Sequence, residues 1–456
     1  MQRRKQKKRK RGNSRGVLLL SLLLIIVFGS AALFLNRASL FAYRAEFRTE
    51  VGTVDMVDEN PESIPSDKKI NPRSMHVKTP EAVKALYMTS CVVSTPSFRD
   101  KLVEIIDTTE INTLIIDVKD YTGTLSFIPK NENLMPLWKD GRCGTSEMEE
   151  FIKELHKKGV YVIARITVFQ DPYYATKHPD QAVQRADNGA VWKDGKGLSF
   201  IDVSSKEAWD HVIQISEEAY DIGFDELNFD YIRFPSDGDM QNVYYPHSKN
   251  KNKADALEEF FAYLDSELER KIPEAVTSAD IFGMTTTNYD DLGIGQILEK
   301  ALPYFDYIAP MVYPSHYPSG FNGWGDPNTV PGPLIKYVMD GAVRRTVADT
   351  TPIKTIGSEK IVCEVDETEE ENSEEVGIAS VEEEAPLPEE CTKTLYTKMV
   401  YDKNKIRPWL QDFSYGGTYD ADAVRAQIQA TYDSGLNSWM LWDPGNTYTK
   451  EALLYE

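Results

Sequence analysis

The stretch Asp225-Glu226-Leu227-Asn228-Phe229-Asp230-Tyr231-Ile232-Arg233-Phe234-Pro235 decides the fold. It reads as a buried strand over Glu226–Phe234, with Asn228 and Asp230 on one face by the period of two and Arg233 near its end. Upstream, Lys206–Ile222 carries apolar residues at helical spacing with polar residues opposite. Gly223 stands between helix and strand, where a left-handed C-cap turns the chain back.

The same unit recurs along the chain. Strands are predicted over Ala85–Thr89, Thr113–Val118, Tyr161–Phe169, Glu226–Phe234, Thr277–Met284, Tyr307–Tyr313, Arg407–Phe413 and Ser438–Trp442. Helices are predicted between them, over Phe98–Thr108, Ser146–Lys158, Lys206–Ile222, Ala254–Lys271, Gln296–Phe305, Leu334–Val347 and Ala421–Ser434, with a short last one at Thr449–Leu454. Gly159 and Gly435 repeat the position of Gly223. Eight alternating units predict an α/β protein of the (β/α)8 TIM-barrel type. An open doubly wound sheet would bind its ligand at a Gly-rich turn after the first strand, and none follows Thr89.

In a barrel, the segments at about 120–145, 170–204, 235–253 and 314–332 all gather on the C-terminal face, where the chemistry is expected. An acidic insertion at about 350–395 lies between the sixth helix and seventh strand, on the opposite face. Residues 364–390 hold thirteen Asp/Glu and no base, which reads as a solvated insertion.

The N-terminal part is of another kind. Residues 1–16 carry nine Lys/Arg and no acid, and 17–35 carry no charge at all, long enough to span a hydrocarbon core of roughly 30 Å. This is read as a basic cytoplasmic tail and an uncleaved transmembrane signal anchor, placing the rest of the chain outside a cell membrane in single-pass topology. Residues 36–80 lack an amphipathic period and read as an extracytoplasmic stalk, leaving 81–456 for the barrel domain. Removing the nine tail charges from the net −21 leaves −30 for the remainder, which argues against a nucleic-acid partner. Export permits disulfides; the candidate pairs are Cys363 with Cys391 and Cys91 with Cys143, each weighed against free thiols.

Reaction classes fall away by absence. The sequence holds no GxSxG, GxxxxGK[ST], HExxH or GxGxxG motif, and its six histidines show no HxH or HxxxH spacing. No cofactor and no metal are expected. What remains is a set of charged, polar and aromatic residues at strand ends: Asp117 and Lys119, placed on one face by the period of two, Arg165, Asn228, Asp230, Arg233, Asp280, Tyr313, Gln411, Asp412, Trp442 and Asp443. A charge at a buried strand end is costly unless paired or solvated. An ion-pair layer, Arg165 with Asp117 or Asp230, would meet that cost structurally. Paired carboxylates among aromatic residues are also the equipment for glycosidic bond cleavage, and Tyr121, Trp138, Tyr173, Tyr174, Trp192, Tyr244, Tyr245, Tyr317, Trp324 and Trp442 supply the aromatics.

The segments Thr113–Asp120, Tyr161–Ile166, Asp225–Pro235 and Arg407–Phe413 resemble the "putative glycosyl hydrolase domain" of exported bacterial proteins, a family assigned to the TIM-barrel glycoside hydrolases. The resemblance covers roughly residues 85–456 and implies a barrel and a carbohydrate substrate; the acidic insertion departs from it.

By analogy with sugar-cleaving barrels, Asp230 is expected as an essential carboxylate, the acid/base, with Asp412 as its partner and Asp117 and Asp280 in reserve. Lys119, Arg165 and Arg233 would orient carboxylates or bind acidic sugar substituents, Tyr313 would hydrogen-bond the reacting ring, and Asn228, Trp442 and Asp443 complete the substrate-binding set. The expected substrate is a wall or surface polysaccharide. Two other readings stand beside this one: a catalytically silent barrel that binds surface polysaccharide, and an ion-dependent hydrolase using the Asp cluster.

Overall fold

A computed structural model describes residues 76–138, 143–352, 395–397 and 399–455. The expected membrane segment, the stalk up to residue 75, the acidic run and the Cys363–Cys391 pair lie outside the described residues, within which no helix is long and apolar enough to cross a membrane.

Eight parallel strands close a barrel: β1 (Lys84–Met88), β2 (Thr113–Lys119), β3 (Tyr161–Thr167), β4 (Glu226–Asp230), β5 (Val276–Phe282), β6 (Tyr307–Met311), β7 (Trp409–Gln411) and β8 (Trp439–Trp442). Closure comes from β1 pairing with both β2 and β8, with Ala85 opposite Thr113 and Met440. The helices outside are α1 (Pro96–Thr108), α2 (Met148–Lys157), α3 (Lys206–Asp221), α4 (Lys253–Lys271), α5 (Leu298–Ala301), α6 (Pro331–Val347) and α7 (Ala421–Asp433). The eighth unit ends in a 3₁₀ turn, Lys450–Ala452. Each longer helix lays an apolar stripe on the sheet; α3, for example, buries Trp209, Val212, Ile213, Ile215, Ala219 and Tyr220. Gly159, Gly223 and Gly435 all have positive φ (76°, 117° and 76°), as the helix-to-strand turns require.

Several elements are shorter than the sequence suggests, among them the seventh strand, which shrinks from Arg407–Phe413 to Trp409–Gln411. The fourth strand stops at Asp230 because Tyr231 adopts φ 53°, a left-handed conformation that breaks the pleat. The fifth helix shrinks from Gln296–Phe305 to the single turn of α5.

Inward-facing residues alternate along each strand and stack in layers. At the N-terminal end, Glu226 accepts hydrogen bonds from Arg407 (2.8 Å) and Tyr161 (3.0 Å). The middle is apolar, with Ala85, Ile115, Ile163, Ala309, Trp409 and Met440 packed together. At the C-terminal end the inward set becomes charged: Asp117, Arg165, Asp230 and Asp280. Buried charge thus sits at the two ends of an apolar interior, and the C-terminal end opens to a cavity.

The acidic insertion starts from a two-stranded antiparallel ribbon, Thr350–Pro352 against Leu395–Thr397. It joins α6 to β7, so topology assigns its base to the N-terminal face. Cys91 and Cys143 form a disulfide, joining the short helix after β1 to the long loop after β2.

Candidate active site

Arg165 is the centre of the C-terminal layer. It leaves the middle of β3, between β2 and β4, and its guanidinium donates to Asp117 (2.5 Å) and to Asp230, with Asp280 3.7 Å from Nε. The strand register places these groups, since Arg165 lies opposite Asp117 on one side and Asn228 on the other. The guanidinium also lies near the rings of Trp442 (4.9 Å to the centroid) and Tyr87 (5.5 Å). Its three carboxylate neighbours push its pKa well above the ordinary value against the opposing effect of burial.

The three carboxylates have different surroundings. Asp117 lies lowest, bonded by the Tyr87 hydroxyl as well as Arg165, and burial raises its pKa despite both partners. Asp230 ends β4 and accepts from Arg165 and from the Tyr231 backbone N–H. Asp280 lies in the C-terminal half of the neighbouring β5; its Oδ1 accepts from Asn228 Nδ2 (2.9 Å) and Trp409 Nε1 (2.7 Å), while its buried Oδ2 has no hydrogen-bond partner among the described residues. Burial, with the charge of Asp230 next, pushes the Asp280 pKa up to about 8, so this carboxyl holds a proton at neutral pH.

Asp230 and Asp280 lie at a cavity of about 560 Å³, lined also by Arg165, Arg233, Tyr313, His316, Trp409 and Trp442. Its walls come from the loops after β3, β4, β5 and β6, on the face expected from a barrel. Trp442 stacks on Tyr87 with centroids 3.9 Å apart and meets Trp409 edge-on. Tyr313 is buried, and burial followed by the charges of Asp280 and Asp230 raises its pKa well above the ordinary value.

The structure therefore brings together Asp117, Arg165, Asn228, Asp230, Asp280, Tyr313 and Trp442, with Arg233 at the cavity wall. Three other expected residues stand elsewhere. Lys119 does not share the face of Asp117: the β2–β3 register shifts between them, so Asp117 pairs with Arg165 but Lys119 with Ile166. The bulge turns the lysine away from the interior, where it is buried against Asp171 (2.8 Å) and the Thr167 carbonyl. Asp443 accepts from the Gly445 N–H (2.6 Å) and closes its own turn after β8. Asp412 follows the parity of Leu410, whose side chain packs outside the barrel, and not that of the interior Trp409. Its two oxygens accept from Thr449 N (3.0 Å) and Oγ1 (2.6 Å).

Burial pushes Asp412 up to about 7 although both Thr449 bonds oppose it. Its folded pKa exceeds the ordinary 3.8, so the stabilising contribution is complete below about 4 and is lost as pH rises through about 7. Wild type is expected to lose, relative to Asp412→Asn, on the order of 4 kcal/mol across that window and nothing more above about pH 8. Urea unfolding of both proteins from pH 4 to 9 measures this. The variant is expected to keep any catalytic activity of the wild type within a few-fold.

Tyr87, Trp409, Lys196 and His316 belong to the site or its wall without having stood out in the sequence. Trp409 lies two residues before Gln411 on the inward face, which is the one signal that marks it. Of the loop aromatics, Tyr317 joins the cavity wall, whereas Trp192 is fully buried and donates to the Asp239 carbonyl. Among the described residues no group of three or more His, Cys, Asp or Glu side chains is placed to hold a metal ion.

A closed parallel barrel with neighbouring carboxylates in a C-terminal cavity defines a glycosyl hydrolase-like (β/α)8 domain. The chain belongs to the family described as "Putative glycosyl hydrolase domain", whose model matches residues 85–355 and 378–448. Among solved structures, the PgaB (BpsB) glycoside hydrolase domain from Bordetella bronchiseptica superposes with a TM-score of 0.50 at 12% identity, over 82% of this chain and 99% of that one. A hypothetical protein from Ruminiclostridium thermocellum ATCC 27405 is 30% identical over 43% of this chain and 96% of its own, with a TM-score of 0.38. No curated protein matches the chain by sequence.

Proposed function

We propose that this chain is a membrane-anchored, extracytoplasmic glycosidase acting on a cell-wall or surface polysaccharide, with Asp280 as general acid and Asp230 as the second carboxylate. The observation that carries the reading is the unequal pair at the cavity: Asp280 buried, bonded through one oxygen only and raised in pKa by that burial, Asp230 held in an ion pair with Arg165. Asp280 would protonate the leaving glycosidic oxygen. Asp230 would face the anomeric carbon, where positive charge develops, as nucleophile or as base toward water. Asn228 and Trp409 hold the carboxyl of Asp280 by one oxygen, leaving the other to carry the proton. Trp442 and Tyr313 offer ring faces to a sugar. The anchor rests on residues 1–35 of the sequence.

A second reading is favoured by a specific contact. Arg165 binds both Asp117 and Asp230, which is the ion-pair layer a silent polysaccharide-binding barrel would need to close its top. Reducing-end release from a panel of wall and capsule polysaccharides separates the two. Wild type is expected to release ends and Asp230→Asn to lose at least about 99% of the rate. Polysaccharide binding without release by either protein would establish the silent barrel.

A further inference from the structure

Three cations were expected to serve acidic groups, and the fold uses up two of them. Arg165 is taken by three carboxylates and Lys119 by Asp171. Arg233 is different. It is buried at 9% exposure, yet no carboxylate lies within ion-pair distance of it among the described residues. Among the described residues its hydrogen bonds both leave one nitrogen, Nη1, to the Phe234 carbonyl (3.1 Å) and Ser236 Oγ (3.3 Å). The guanidinium is held over Tyr231 (4.8 Å to the centroid) and beside Phe282 (5.0 Å), contacts that fix its plane without satisfying its charge.

Its position adds a second observation. Arg233, Tyr231 and Lys196 line the reaction cavity and also a neighbouring one of about 400 Å³ that Tyr121, Gln170 and Asp237 complete. Lys196 is exposed and makes no ion pair among the described residues. Asp194, in the same wall, is engaged by the N–H groups of Lys196 and Leu198 and by Gln170, and Asp237 is exposed at the rim. A planar guanidinium with free donors, paired with an exposed lysine, matches an oxyanion with two or more oxygens. Asp230, Asp237 and Asp194 lie near enough to favour its charge but none bonds it, so a neutral sugar would leave the guanidinium without a direct ionic partner.

We propose that Arg233 and Lys196 form a subsite for an anionic substituent of the glycan, a sugar carboxylate or a phosphate ester, one sugar position away from the carboxylate pair. The inference rests on the glycan-binding reading of the cavity. The separation matters, because Asp230 would repel an anion placed directly upon it.

The test is binding of the full chain to acidic wall and capsule polysaccharides. Each carboxylated polymer is compared with its own carboxyl-reduced form and each phosphorylated polymer with its dephosphorylated form, at low and high salt. Wild type is expected to bind at least one acidic polymer roughly tenfold or more tightly than its neutralised form, with the difference shrinking in high salt. Which modification removes the preference identifies the oxyanion. Arg233→Gln is expected to abolish the preference, and Lys196→Gln, at an exposed position that cannot disturb the core, to reduce it. Equal binding of acidic and neutralised forms throughout the panel, or a preference that survives both substitutions, would overturn the subsite. Release of reducing ends without acid preference would remove the subsite and leave the glycosidase; acid-selective binding without release would do the reverse.

Discussion

Asp280→Asn is expected to slow reducing-end release by roughly a hundred- to ten-thousandfold and to remove the fall of activity above about pH 8. The side chain is buried, with Asn228 and Trp409 on one oxygen, and burial with the neighbouring charge of Asp230 keeps the proton on at neutral pH. An acid with that pKa is competent from neutrality down and fails as pH rises through about 8, so wild type is expected to show its alkaline limb there. Asparagine preserves the shape and can still accept from both donors, but it has no acidic proton to transfer. Substrates with an activated aryl leaving group need no protonation and should lose much less. Equal losses on activated and unactivated substrates would take Asp280 out of the acid role. A retained alkaline limb in the variant would assign that limb to another group.

The charged strand ends were legible because the barrel interior repeats every second residue. Asp117, Arg165, Asn228, Asp230 and Asp280 interrupt apolar runs, and a polar residue in such a run has to face either a partner or a cavity. Periodicity also failed in identifiable places. A bulge adds a residue between Asp117 and Lys119, and nothing in Val118 announces it. In β7 the neighbours Gln411 and Asp412 are both polar, so sequence offers either one to the interior. The contacts decide: Gln411 accepts from Ser315 within the C-terminal layer and Asp412 binds Thr449. Tyr87 and Trp409 were hidden for the opposite reason. An aromatic residue in a strand reads as ordinary core, and only the bonds to Asp117 and Asp280 reveal what these two hold in place. Lys196 belongs to a loop whose face was predictable from topology, but no pattern within residues 170–204 marks it.

Arg165→Met is expected to cost about 3 to 5 kcal/mol of folding stability at neutral pH, the largest stability effect among the site residues. Methionine fills part of the space between Tyr87 and Trp442, so lost volume is the smaller contribution. The larger one is electrostatic: Asp117 and Asp230 lose their shared cation inside a layer where both are buried, and Asp280 loses a neighbouring positive charge. Protonating these carboxyls relieves the repulsion, so the deficit is expected to shrink as pH falls toward about 5. Urea unfolding of wild type and variant at pH 5 and pH 8 measures the difference. Adding Asp230→Asn to Arg165→Met should recover part of the loss, because it removes one unpaired charge from the layer. A deficit that is the same at both pH values and unchanged in the double variant would mean that Arg165 acts by packing alone. Arg165→Lys separates charge from geometry: one ammonium can neutralise a carboxylate but cannot bridge Asp117 and Asp230 as the planar fork does. It is therefore expected to retain more stability than methionine while losing the fixed position of Asp230 on which the proposed catalysis depends.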